Sequence, residues 1–149
     1  MADREAVIAV LESLIETCKD GETGYVHAAG VVKDERLKEW FGAQSRERHH
    51  FLQELKEEVT RLGESDPDTS GSVAGTLHRA WFETKADVGA SDESIISSVE
   101  TGEKSAADSY QKALQAGLPE NIRAIVGRQA ERVFSALNRL REIYGGRAA

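Results

Sequence analysis

A chain of 149 residues with 40% hydrophobic and 30% charged side chains, 2 prolines and 6% aromatics has the make-up of one globular helical domain, not of a disordered or fibrous protein. The formal net charge of −7 argues against general affinity for nucleic acid or anionic membrane, which takes clustered cations. The one cysteine, Cys18, excludes an internal disulfide and a cysteine-based zinc cage.

The opening MADREAVIAVLESL carries acids where a secretory leader carries basic residues, and no apolar run approaches the ~18 residues of a membrane span. A cytoplasmic protein with no membrane partner is the expectation, and the lone cysteine suits that reducing compartment. Charge is uneven along the chain. Residues 119–149 hold six arginines against three glutamates, net +3, which leaves −10 on residues 1–118. A basic last helix against an acidic remainder suggests internal charge complementarity more than a nucleic-acid face.

Apolar residues recur at spacings of three and four throughout, which is the helical period, and no segment reads as a strand. The first helix is expected after Asp3 as N-cap, with Val7, Leu11, Leu14, Cys18, Glu22, Tyr25 and Ala29 on one stripe and an end near Val32. Gly21 and Gly24 lie inside it. Interior glycines weaken a helix by about 1 kcal/mol each relative to alanine, so they imply close packing or a local bend beside Glu22.

The second helix, capped by Asp34, carries Leu37, Trp40, Phe41, Gln44, Glu47, Phe51, Leu55, Val59 and Leu62 and stops at Gly63. The turn between these two helices is too short for anything but antiparallel neighbours. GESDPDTSGS, residues 63–72, reads as loop and opens a crossover, in which Val73, Leu77, Trp81 and Thr84 trace a shorter helix lying across the bundle. A third long helix begins near Ser91, with Ile95, Ile96, Val99, Gly102, Glu103, Ala106, Tyr110 and Ala113 inward, and ends before Gly117. Pro119 stands in the first turn of the fourth, which turns Ile122, Ile125, Val126, Gln129, Arg132, Val133, Ala136, Leu137, Leu140 and Ile143 inward. Two antiparallel hairpins joined by a long crossover holding a shorter helix make an all-α, ferritin-like four-helix bundle, one domain over residues 1–149.

The segments DGETGYVHAAG (20–30), SGSVAGTLHRAW (70–81) and TGEKSAADSYQKAL (101–114) resemble a bacterial family of uncharacterised ferritin-like four-helix bundle proteins, classified as a domain of unknown function. The resemblance implies the fold and a bacterial cytoplasmic setting, and no activity.

A dinuclear carboxylate centre in such a bundle takes one Glu from each of two helices and a Glu-x-x-His pair from each of the others. Glu47 and His50 form one such pair, and Glu22 and Glu103 fall on inward stripes. The fourth helix offers Gln129, Arg132 and Val133 at that level and no Glu-x-x-His, so a complete two-iron site is not expected. A single iron, manganese or zinc ion on some subset of Glu22, Glu47, His50 and Glu103 is one reading. The favoured one has Arg132 opposite Glu103, its guanidinium neutralising the carboxylate that a metal would otherwise hold.

Tyr25 and Tyr110 are placed to hydrogen-bond Glu22 and Glu103, respectively, although core aromatics with satisfied hydroxyls are the simpler reading. His27 and His49 fall outside the stripes, as solvated side chains, and His78 reads as packed or capping. Neither GSVAG (71–75) nor TGEKS (101–105) has the spacing of a phosphate loop, and no Ser or Cys is set beside a His and an acid for nucleophilic chemistry. A non-enzymatic helical module is therefore the leading expectation. It would act through self-association, a dimer first, or through a protein partner, with Trp40, Trp81 and Phe82 as the apolar surface between subunits. A metal-binding, stress-related protein is the alternative, and a DNA-protecting shell a third.

Overall fold

A computed structural model of the chain describes residues 3–63, 81 and 89–148. These form four helices, α1 (Arg4–Val31), α2 (Glu35–Arg61), α3 (Asp92–Leu114) and α4 (Glu120–Ala148), with no strand among the described residues. The expected loop 64–72 and the crossover stripe of Val73, Leu77 and Thr84 lie outside the described residues, as do His78 and Phe82.

The helix starts follow from local side-chain chemistry. Asp3 accepts a hydrogen bond from the Ala6 N–H at 2.8 Å, Asp34 accepts from Arg36 and Leu37 at 2.8 and 3.3 Å, and Ser91 accepts from Ser94 at 3.2 Å. Each supplies an acceptor to N–H groups that have no carbonyl one turn back. Pro119 sits just before α4, where its carbonyl accepts from Arg123 at 2.8 Å. At the other end, Gly63 takes φ +101° and Gly117 φ +73°, left-handed conformations that suit glycine beyond a helix.

The backbone of α1 packs on α2 and on α3, and α3 packs on α4, whereas α2 and α4 barely approach each other. Asp92 fastens the first turn of α3 to the α1–α2 connection, its two carboxylate oxygens accepting from Lys33 N–H at 2.8 Å and Asp34 N–H at 3.0 Å. Substituting Asp92→Ala strands both amides, so urea unfolding is expected to show a loss of about 2–3 kcal/mol.

Apolar burial falls into two clusters. One gathers residues including Val7, Leu11, Leu14, Phe51, Leu55, Val126 and Val133; the other gathers Tyr25, Ala28, Phe41, Trp81, Ile95, Val99 and Leu140. Each fully buried aliphatic side chain contributes roughly 1.5–3 kcal/mol, so these clusters supply the main driving force. Arg48, Glu103 and Gln129 are among the buried polar side chains that accompany them, and the candidate site is built around these.

Candidate functional site

Trp81 enters the bundle between two helices that leave room for it. A Cβ on Gly24 of α1 would lie 1.8 Å from the Trp81 ring, and one on Gly102 of α3 would lie 2.5 Å from it, so only glycine at both positions lets the indole pass. The interior glycines therefore reflect close packing. Gly21 does the same for Arg48, whose Nη1 is 3.3 Å from where a Cβ would stand. Trp81 is 5% exposed, its ring centroid is 5.2 Å from that of Tyr25, and its indole N–H is buried without a partner. It is consequently an interior wedge, correcting the expectation that it offers surface to another subunit.

Beside the wedge lies a buried ion pair. Arg48 Nη1 and Nη2 donate to the two carboxylate oxygens of Glu103 at 2.7 and 2.6 Å, the parallel two-bond geometry that a planar guanidinium favours. The Tyr25 hydroxyl donates to the same carboxylate, and the guanidinium carbon stands 5.4 Å from the Tyr25 ring centroid. Both charged side chains are at most 1% exposed. Burial on its own would lower the Arg48 pKa, but the facing Glu103 charge more than offsets it and holds the guanidinium firmly protonated. Burial, reinforced by the Glu103 charge, pushes the Tyr25 phenol well above its usual value, so it remains a donor.

A second polar chain adjoins this pair. The Tyr110 hydroxyl donates to Gln129 Oε1 at 2.7 Å and meets Cys18 Sγ at 3.1 Å. Gln129 Nε2 in turn donates to the Phe51 carbonyl at 3.3 Å and to Glu54 at 3.0 Å. Every polar atom of the Gln129 amide thus has a partner. Cys18 is fully buried, as a small core residue should be, and burial pushes its thiol up from 9.0 to about 11.

Raised acid pKa values make a pH prediction. In the folded chain Cys18, Tyr25 and Tyr110 all hold their protons more tightly than when exposed, so their contribution to stability is fully present below the unfolded thiol value of 9.0. That of Cys18 is lost as the pH rises toward about 11, followed by those of the tyrosines. Native protein at neutral pH is expected to leave a thiol reagent unconsumed, to react fully in denaturant, and to lose melting temperature steeply above pH 9. Rapid native labelling would contradict the buried Cys18–Tyr110 contact.

The residues singled out from the sequence are divided among separate contacts. Glu103 is held by Arg48 and Tyr25. Glu22 receives His49 Nδ1 at 3.0 Å and Lys19 at 3.9 Å; Glu47 receives Arg132 at 3.1 Å; and His50 is exposed. Among the described residues, no three His, Cys, Asp or Glu side chains form a group able to hold a metal ion. Glu22, Glu47 and Glu103 are thus each engaged with a different cation or hydroxyl, in separate contacts.

The partner of Glu103 is Arg48 of α2, not Arg132, whose side chain is 56% exposed. Tyr25 serves Glu103 instead of Glu22, and Tyr110 serves Gln129 instead of Glu103. His49 is half-exposed, as a residue off the stripe should be, yet paired with Glu22. Arg48 was missed because the steps 44–47–51 and 44–48–51 both satisfy helical spacing, and a glutamate was the expected charge. The glycines Gly21, Gly24 and Gly102 were the available signal, since each makes room for Arg48 or Trp81.

Four helices around an internally neutralised ion pair, with an aromatic wedge beside it, define a helical protein with a structural polar core. The family model for a domain of unknown function, DUF2383, matches residues 6–116, from α1 to the turn after α3, and the chain belongs to that family. No curated protein matches the chain. No helix among the described residues is long and apolar enough to cross a membrane.

Proposed function

We propose that the chain is a single-domain, ferritin-like bundle in which an arginine–glutamate pair stands where a metal-binding relative would gather carboxylates, and that it acts without catalysis, by self-association. The ferritin-like reading is supported by the order of contacts. Lys33 meets Asp92, Tyr25 meets Glu103 and Cys18 meets Tyr110, so α1 and α3 run in opposite directions. Glu47 meets Arg132 and Glu54 meets Arg128, so α2 and α4 do likewise. Two antiparallel hairpins joined by a crossover the length of the bundle satisfy all of these contacts. The buried, unreactive Cys18 suits a bacterial cytoplasm.

One observation carries the non-catalytic reading: both oxygens of the most buried carboxylate, Glu103, are already taken by Arg48 and Tyr25. A group committed in this way serves packing and is not poised for substrate or metal. Light scattering of the purified chain over a range of concentrations tests the associative half. A dimer is expected. A monomer at every concentration would overturn self-association and leave a different protein as the binding partner, whereas a large shell would point to a storage-type assembly.

A further inference from the structure

The two long seams of the bundle are closed in different ways. Between α1 and α3 the Trp81 ring fills the gap, but between α2 and α4 the backbones stay apart and long polar side chains span the distance. Arg128 reaches Glu54 at 2.8 Å and Arg132 reaches Glu47 at 3.1 Å. Toward the α2 N-terminus the seam opens into two adjoining hollows of about 470 and 250 Å³, which share Trp40 and Arg139. Glu39 of α2 lines the larger one with Arg139.

At three successive levels, therefore, an acid stands on the α2 edge and an arginine on the α4 edge. A two-fold axis running along this seam, parallel to the helices, would lay α2 of one copy over α4 of another without shifting the level. Every acid then faces an arginine, so the surface is electrostatically complementary to itself. Elsewhere a chain of net charge −7 repels its copy, while this face is balanced. Gln44, which lines the smaller hollow, also has a buried Oε1 with no donor. An arginine from the second copy would supply one. Trp40, half-buried among arginines, has the character of an interface anchor.

We propose that the chain forms a two-fold dimer through its α2–α4 face, with Trp40 as the apolar anchor, Glu47 and Arg132 exchanging partners between copies, and Arg139, which meets Glu142 at 3.8 Å within one copy, facing Glu39 of the other. The proposal rests on the self-association reading and adds its surface. Sedimentation velocity is to be run on the wild type, on Arg139→Glu, on Trp40→Ala and on Val26→Glu, which charges an exposed apolar residue of α1. Circular dichroism checks each fold; because Trp40 also packs on Tyr25 and Phe41, the rim variant Arg139→Glu carries the test if Trp40→Ala unfolds.

The expected result is a wild-type dimer whose dissociation constant rises about tenfold or more in the Arg139 and Trp40 variants and stays the same in Val26→Glu. A dimer untouched by Arg139→Glu, or lost with Val26→Glu, would overturn this face while leaving self-association standing. A wild-type monomer at all concentrations would overturn both.

Discussion

Glu103→Ala is expected to lower the unfolding free energy by about 3–5 kcal/mol, a large part of the roughly 5–15 kcal/mol that holds a domain of this kind together. The cost comes from what remains. Arg48, 1% exposed, keeps its charge in an apolar surround but loses both carboxylate bonds, and Tyr25 loses its acceptor. Arg48→Met combined with Glu103→Leu removes the two charges together and is expected to recover most of the loss, because a buried pair roughly breaks even against apolar residues of similar volume. Urea unfolding followed by circular dichroism measures all three variants. A Glu103→Ala protein as stable as the wild type would mean that Arg48 finds water or another acceptor, and the buried pair would cease to be the organising feature of the core.

Gly24→Ala is the second large effect. Alanine normally strengthens a helix interior by about 1 kcal/mol over glycine, and here the sign is expected to reverse. The added methyl would lie 1.8 Å from the Trp81 ring, and the atoms it meets belong to a rigid indole wedged between two helices. The ring has to leave, and losing its burial costs about 3–5 kcal/mol, the range for truncating a buried aromatic. Gly102→Ala, at 2.5 Å, is expected to act in the same direction. In a Trp40→Phe background Trp81 is the only tryptophan. Its emission is expected to shift to the red in the Gly24 variant as the indole reaches water. Unchanged emission with raised stability would show that the wedge is not seated between the glycines.

Much of the architecture was legible because it is written locally. Asp3, Asp34 and Ser91 cap the helices expected from them, Gly63 and Gly117 follow the ends of α2 and α3, and the stripes of α1 and α3 are buried nearly as read. The polar core was legible only in part. Glu103 on the inward face of α3 follows from the helical period, but its partner depends on which residue of α2 reaches that level. Glu47 and Arg48 are adjacent on the helix surface, and a rotation of one residue decides between them. Likewise, the level at which α1 meets α3 is set by the crossover, whose reach cannot be read from periodicity, so Tyr25 was matched with Glu22 on its own helix. The role of Trp81 was hidden because a lone aromatic on a short stripe looks the same whether it faces solvent, another subunit or the core.

Whether Glu103 answers to Arg48 or to a metal decides what this polar core is for. The decisive measurement is metal analysis of chain purified without chelator or affinity tag, followed by melting-temperature scans with added iron(II), manganese(II) or zinc(II). A Glu47→Ala, His50→Ala double variant serves as the control. Metal-free protein whose melting temperature ignores all three ions is the predicted result. A stoichiometric ion, bound by the wild type and lost in the double variant, would contradict it and place metal chemistry at the centre of the protein's function.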